Sequence, residues 1–190
     1  VLGATAPPDE NFLSLLILCH TLKQAGAKEI TALIPYLAYS RHGRHEPGKS
    51  NIAWLGTALK AAGVNKIVTC EVHSPHVAEL CPMPIVSLST ENIFVQALKK
   101  FLKKDTVFVA PDKGAMEKCG ALAKALGFKQ EIAYFKKERK PEGITLLSFH
   151  GQVAPRAVIV DDMLDTGGTL VAACQELQKK GVRDITVVVS

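Results

Sequence analysis

Short apolar runs alternate along this chain with longer stretches whose apolar residues fall at helical spacing. The segments Lys66–Glu71, Asp105–Ala110 and Arg156–Asp161 are continuously apolar at their centres, as in strands covered on both faces. Glu29–Pro35, Glu131–Lys136, Ile144–Phe149 and Asp184–Val189 read as further strands. Helices are expected from Asp9 to about Ala25, over Asn51–Ala62, from Ser89 to about Lys103, and over Lys113–Leu126 and Gly168–Lys180. Their ends carry signals: Asp9 and Ser50 as caps, and Gly26, Gly63 and Gly127 as stops. The first helix holds Phe12–Cys19, apolar almost all round, which predicts burial on most sides in a core or a subunit contact. Tyr36–Ser50 is polar, basic and broken by Gly43, Pro47 and Gly48, so it reads as a loop. Ser74–Ser87 is marked by Pro75, Pro82 and Pro84.

Helices between strands, with short links, argue for right-handed βαβ units and a mainly parallel sheet. Two such units in succession predict two α/β lobes, residues 1–103 and 104–190, dividing near Lys103–Lys104. Val1-Leu2-Gly3 resembles the end of a strand, and Ile185–Ser190 a strand still running. Both lobes are therefore expected to be partial, parts of a longer protein.

The formal net charge of +5 suits an anionic ligand, such as a sugar phosphate or nucleotide. No arginine-rich or aromatic-interleaved run favours nucleic acid. The apolar run Phe12–Cys19 is too short for a bilayer core of about 30 Å, so no membrane partner is expected. The five cysteines include no Cys-x-x-Cys pair and read as reduced, mostly buried thiols of a cytoplasmic protein.

The strongest chemical signal is Val158–Leu170: an apolar strand, the acids Asp161 and Asp162, a turn with Asp165, Thr166, Gly167 and Gly168, then Thr169 opening a helix. The glycines allow a tight turn with exposed N–H groups. Those groups stand at a helix N-terminus, where phosphate is favoured. Thr166 and Thr169 add hydroxyl donors. Asp161 and Asp162 would repel phosphate, so they suit the 2- and 3-hydroxyls of a ribose or a bridged Mg²⁺. The placement, at the carboxyl end of a strand, is where open α/β sheets bind ligands.

This segment resembles the phosphoribosyl-diphosphate loop shared by phosphoribosyltransferases and ribose-phosphate diphosphokinases. Four further stretches are similar to the diphosphokinases: Ile34–Arg41, Cys70–Ser74, Val109–Ala115 and Lys137-Glu138-Arg139. The resemblance covers nearly the whole chain. It implies two phosphoribosyltransferase-like lobes, each a mainly parallel sheet flanked by helices. It also implies transfer of diphosphate from MgATP to ribose 5-phosphate in a cytoplasmic homo-oligomer. Arg41, His42 and Arg44 would then bind ATP. His73, which follows a strand, and Asp112 would hold the metal–nucleotide complex. Lys137 would neutralise charge on the transferred group, and Arg139 would bind ribose 5-phosphate or the phosphates. Asp161, Asp162 and the Asp165–Thr169 turn would bind ribose 5-phosphate. The His73/His76 spacing brings no further soft-metal ligands with it.

The chain departs from the family pattern in its ATP loop. His42 stands where the family has Gln, and Gly43, which offers no side chain, stands where it has an acid. Glu71 replaces the usual Asp, and Lys113 and Ala115 alter the Pro-Asp loop. Two other readings stay open. One is a phosphoribosyltransferase that consumes the diphosphate. The other is a catalytically weak regulatory homologue.

Overall fold

Residue pairings in the computed structural model give two parallel-strand systems in succession. The structure describes residues 1–40, 51–74, 76–139 and 145–190, with the backbone alone described at 137–139 and 145–147. The chain divides into two compact units, Val1–Ser89 and Thr90–Ser190.

The first unit contains α1 (Asp9–Gln24), β1 (Thr31–Leu33), α2 (Asn51–Ala61), β2 (Lys66–Cys70), α3 (His76–Leu80) and β3 (Ile85–Leu88). Its sheet has the order β1-β2-β3, with both pairings parallel. The core gathers Leu15 and Cys19 of α1, Leu55 and Leu59 of α2, Ile67 of β2 and Val77 of α3. Helix α1 begins after Pro8 with no side-chain cap, so Asp9 lies in its first turn instead of capping it. An acid there still favours the helix dipole. Only one side of α1 enters the core: Leu15 and Cys19 are buried, while Leu13, Ile17 and Leu18 are exposed. The proline-marked stretch contains α3 and most of β3. With Pro84 just before it, Ile85–Leu88 is too short to show a period, and three of its four residues are exposed.

The second unit contains α4 (Glu91–Leu98), β4 (Thr106–Ala110), α5 (Met116–Ala125), β5 (Ala133–Arg139), β6 (Thr145–His150), β7 (Arg156–Asp161), α6 (Gly168–Lys179) and β8 (Asp184–Val189). Its sheet order is β6-β5-β4-β7-β8. Only the β5–β6 pairing is antiparallel. Alternate side chains of the central strands point to opposite faces, which makes two cores. Val107, Val109, Ala157 and Ile159 pack with Leu170 and Leu177 of α6. Phe108, Ala110, Val158 and Val160 pack with Leu98 of α4 and Cys119 and Leu122 of α5. Helix α4 thus packs with the second unit, although it precedes the expected division at Lys103–Lys104.

From β4 the chain passes to β5 on one side, and β7 lies on the other. Adjacent strands whose connections diverge open a crevice at their carboxyl ends. Here that crevice lies beyond Ala110 and Asp161. No helix among the described residues is long and apolar enough to cross a membrane.

Candidate functional site

The turn after β7 has the expected form. Gly167 has φ 79° and ψ −5°, the left-handed region, where a side chain is strained. Helix α6 starts at Gly168, and its first backbone bond runs from the Val171 N–H to the Gly167 carbonyl at 2.9 Å. The N-cap residue Gly167 has no side chain to cap the helix, and the N–H groups of a helix's first turn suit an anion. Gly168 is different from Gly167. A Cβ there would come no closer than 3.8 Å to Thr166 Oγ1, so the chain's own packing does not demand a glycine. Asp165 and Thr166 are exposed, and Thr169 is half-buried.

The acids gather at the crevice. Asp161 is half-buried, and its Oδ1 accepts the Asp162 N–H at 2.9 Å. Burial pushes the Asp161 carboxyl up to about 6; the Asp162 N–H opposes the shift, and the Asp162 and Asp112 carboxylates add to it. Asp112 follows β4, and its Oδ1 accepts the N–H groups of Gly114 at 2.9 Å and Ala115 at 3.2 Å. The structure therefore brings Asp112, Asp161 and Asp162 into one electrostatic neighbourhood within the second unit. Among the described residues no three His, Cys, Asp or Glu side chains group as a metal cage. The oxygen donors fit a hard cation held by one or two carboxylates and by a ligand's phosphates.

Lys137 and Arg139 lie on β5, opposite Leu147 and Thr145 of β6. The last β4 pairing is Ala110 with Tyr134, so β5 carries both positions past the end of β4, at the rim of the crevice. The strand expected over Glu131–Lys136 thus runs on through both positions. His73, in the first unit, is exposed beyond the carboxyl end of β2. Between them Glu71 adopts φ 36°, with its N–H bonded to the Leu88 carbonyl at 3.0 Å. His76 Nδ1 lies 3.0 Å from Glu79 Oε2 on its own helix. Arg41, His42 and Arg44 lie outside the described residues.

Two residues not anticipated from sequence are linked to the turn, Ser190 directly and Lys118 through it. Lys118 of α5 donates to Ser190 Oγ at 2.8 Å, and Ser190 Oγ donates to the Asp162 carbonyl at 3.1 Å. No local pattern signals a pair so far apart in the chain. The cysteines are all free. Burial raises the Cys19 and Cys81 thiols and pushes Cys119 up to about 12, so these three are poor nucleophiles.

Residues 1–63 match the family model for the N-terminal domain of ribose phosphate pyrophosphokinase, and residues 79–190 match that of the phosphoribosyl transferase domain. A ribose-phosphate pyrophosphokinase of Ralstonia nicotianae is 32% identical over 186 residues, covering 95% of this chain and 58% of that protein. One from Mycoplasma genitalium is 34% identical over 184 residues, covering 94% and 55%. The crystal structure of phosphoribosylpyrophosphate synthetase from Mycobacterium smegmatis superposes with a TM-score of 0.87 at 26% identity, covering 100% of this chain and 63% of that one. The chain thus spans less than two thirds of the length of these relatives.

Proposed function

This chain belongs to the ribose-phosphate pyrophosphokinase family, and on that premise we propose that the whole protein makes phosphoribosyl diphosphate from ATP and ribose 5-phosphate. The anomeric oxygen of the sugar attacks the β-phosphorus. A new O–P bond forms, the bond from that phosphorus to the oxygen bridging the α-phosphate breaks, and AMP leaves with that oxygen. The hydroxyl proton passes to solvent. The observation that carries this reading is the turn from Asp161 to Thr169, a left-handed glycine at a helix start beside half-buried acids. It pairs amides for the 5-phosphate with carboxylates for the sugar diol.

Asp161 and Asp162 are assigned to the diol. The turn Asp165, Thr166, Gly167, Gly168 and Thr169 is assigned to ribose 5-phosphate, its amides and threonine hydroxyls to the phosphate. Lys137 would offset charge on the group in flight, and Arg139 would bind the sugar phosphate. Fixed cations of this kind supply much of the catalysis in phosphoryl transfer. Arg41, His42 and Arg44 are assigned to ATP, and His73 and Asp112 to a Mg²⁺–nucleotide complex. Mg²⁺, when bound, would neutralise phosphate charge and polarise the P–O bonds. The free cysteines favour a reducing, cytoplasmic setting. The exposed side of α1 favours association of identical copies.

The test uses the intact protein. AMP release that requires ribose 5-phosphate is expected, and Asp165→Ala should abolish ribose 5-phosphate binding while leaving the thermal transition in place. Diphosphate release with a nucleobase would instead indicate a phosphoribosyltransferase. His42 and Gly43 favour one second reading, a regulatory homologue, which would bind both substrates without turnover.

A further inference from the structure

Asp162 is held at both of its backbone polar groups. Its N–H donates to the Asp161 carboxylate at 2.9 Å, and its carbonyl accepts the Ser190 hydroxyl at 3.1 Å. The Ser190 oxygen in turn accepts from the Lys118 ammonium at 2.8 Å. Donor chemistry fixes the direction of this chain. An ammonium can only donate, so it occupies a lone pair of the hydroxyl and leaves the hydroxyl hydrogen for the Asp162 carbonyl. Lys118 stands on α5, the helix that follows β4, and Ser190 follows the edge strand β8. The bridge therefore ties elements from both sides of β7 to the peptide where β7 becomes the turn.

We propose that Lys118 and Ser190 are positioning residues for the sugar-binding acids. They touch no substrate. They fix the backbone of Asp162, and so the direction in which the Asp161–Asp162 pair presents its carboxylates, while α6 fixes the amides at the other end of the turn. A ribose 5-phosphate molecule spans both ends, so its affinity depends on their spacing, whereas ATP affinity does not. This role rests on the ribose 5-phosphate reading given above.

Removing one such hydrogen bond should raise the KM for ribose 5-phosphate about three- to tenfold. The test compares Ser190→Ala, Ser190→Thr, Lys118→Met and the double variant Ser190→Ala/Lys118→Met in the intact protein. Two readouts are taken: the KM for each substrate, and amide hydrogen exchange over residues 161–169. Ser190→Ala is expected to speed exchange in the turn and raise the sugar KM with the ATP KM unchanged. Ser190→Thr keeps the hydroxyl and should restore both. The double variant should be less than additive, because both substitutions break one relay. Unchanged exchange in Ser190→Ala overturns the tether, and additive effects overturn the relay through Lys118. Faster exchange with an unchanged sugar KM, or an equal rise in the ATP KM, overturns the positioning role. Should the native protein fail to bind ribose 5-phosphate while Ser190→Ala still loosens the turn, the tether stands and the substrate reading falls.

Discussion

Burial separates Asp161 from an ordinary surface carboxylate. Its folded-state value, pushed up to about 6 from 3.8, lies above that of the unfolded chain, so the folded form holds the proton more tightly. Its contribution to stability is full below the unfolded value and is lost as pH rises through the folded one. Near neutral pH the charged group therefore opposes folding. Asp161→Asn should keep an oxygen for the Asp162 N–H while removing that charge. We predict that it raises the thermal midpoint near pH 7.5 and leaves it almost unchanged near pH 4, where both native states are neutral, as linkage requires. A lower midpoint near pH 7.5 would show that the carboxylate is held by favourable contacts. Sequence made this residue visible, because acids at the end of an apolar strand before a glycine turn have few other uses. It did not reveal Ser190, an ordinary polar residue whose meaning comes from partners 28 and 72 positions away.

Among the elements, strands with a clear apolar run were legible, and those marked by proline or charge were not. The strands Arg156–Asp161 and Asp184–Val189 have the predicted bounds. By contrast β3 was hidden by its prolines, and β5 runs on through Lys137 and Arg139 because it pairs with β6 as a hairpin. Glycines inside helices show the same limit. Local propensity makes each helical glycine a cost of roughly 0.5–1 kcal/mol relative to alanine, and sequence cannot say which one packing requires. At Gly56 of α2 an added Cβ would sit 2.6 Å from Cys81 Sγ and 2.6 Å from Pro82 Cδ, so α2 approaches the segment after α3 too closely for a methyl group. At Gly120 of α5 the nearest atom would be Ile132 Cγ1 at 3.7 Å, an ordinary contact. Gly56→Ala should therefore destabilise the protein by roughly 1–3 kcal/mol through overpacking. Gly120→Ala should stabilise it by up to about 1 kcal/mol through helix propensity. Chemical denaturation of the two variants checks both signs, and equal shifts would remove packing as the distinction.

For the whole molecule, the all-round apolar character of Phe12–Cys19 predicted burial on most sides, yet α1 gives its own unit only the side bearing Leu15 and Cys19. Leu13 and Ile17, four residues apart on another side, are 56% and 67% exposed. Trp54 of α2, 58% exposed, stacks at a tilt on Phe12 with ring centroids 5.8 Å apart. Scattered apolar residues need no explanation, but exposed apolar residues sharing one helix side are the kind of surface that a partner covers. The same patch meeting itself about a two-fold axis is the commonest way such surfaces are covered in homo-oligomers. We predict that Ile17→Glu in the intact protein shifts sedimentation toward smaller species, since charges facing each other across the axis repel. Because Ile17 gives its own unit little burial, the thermal midpoint measured at dilutions where the native protein has dissociated should not change. If Ile17→Glu lowers that midpoint while sedimentation stays native, the side of α1 is covered within a single copy, and association must be sought on another surface.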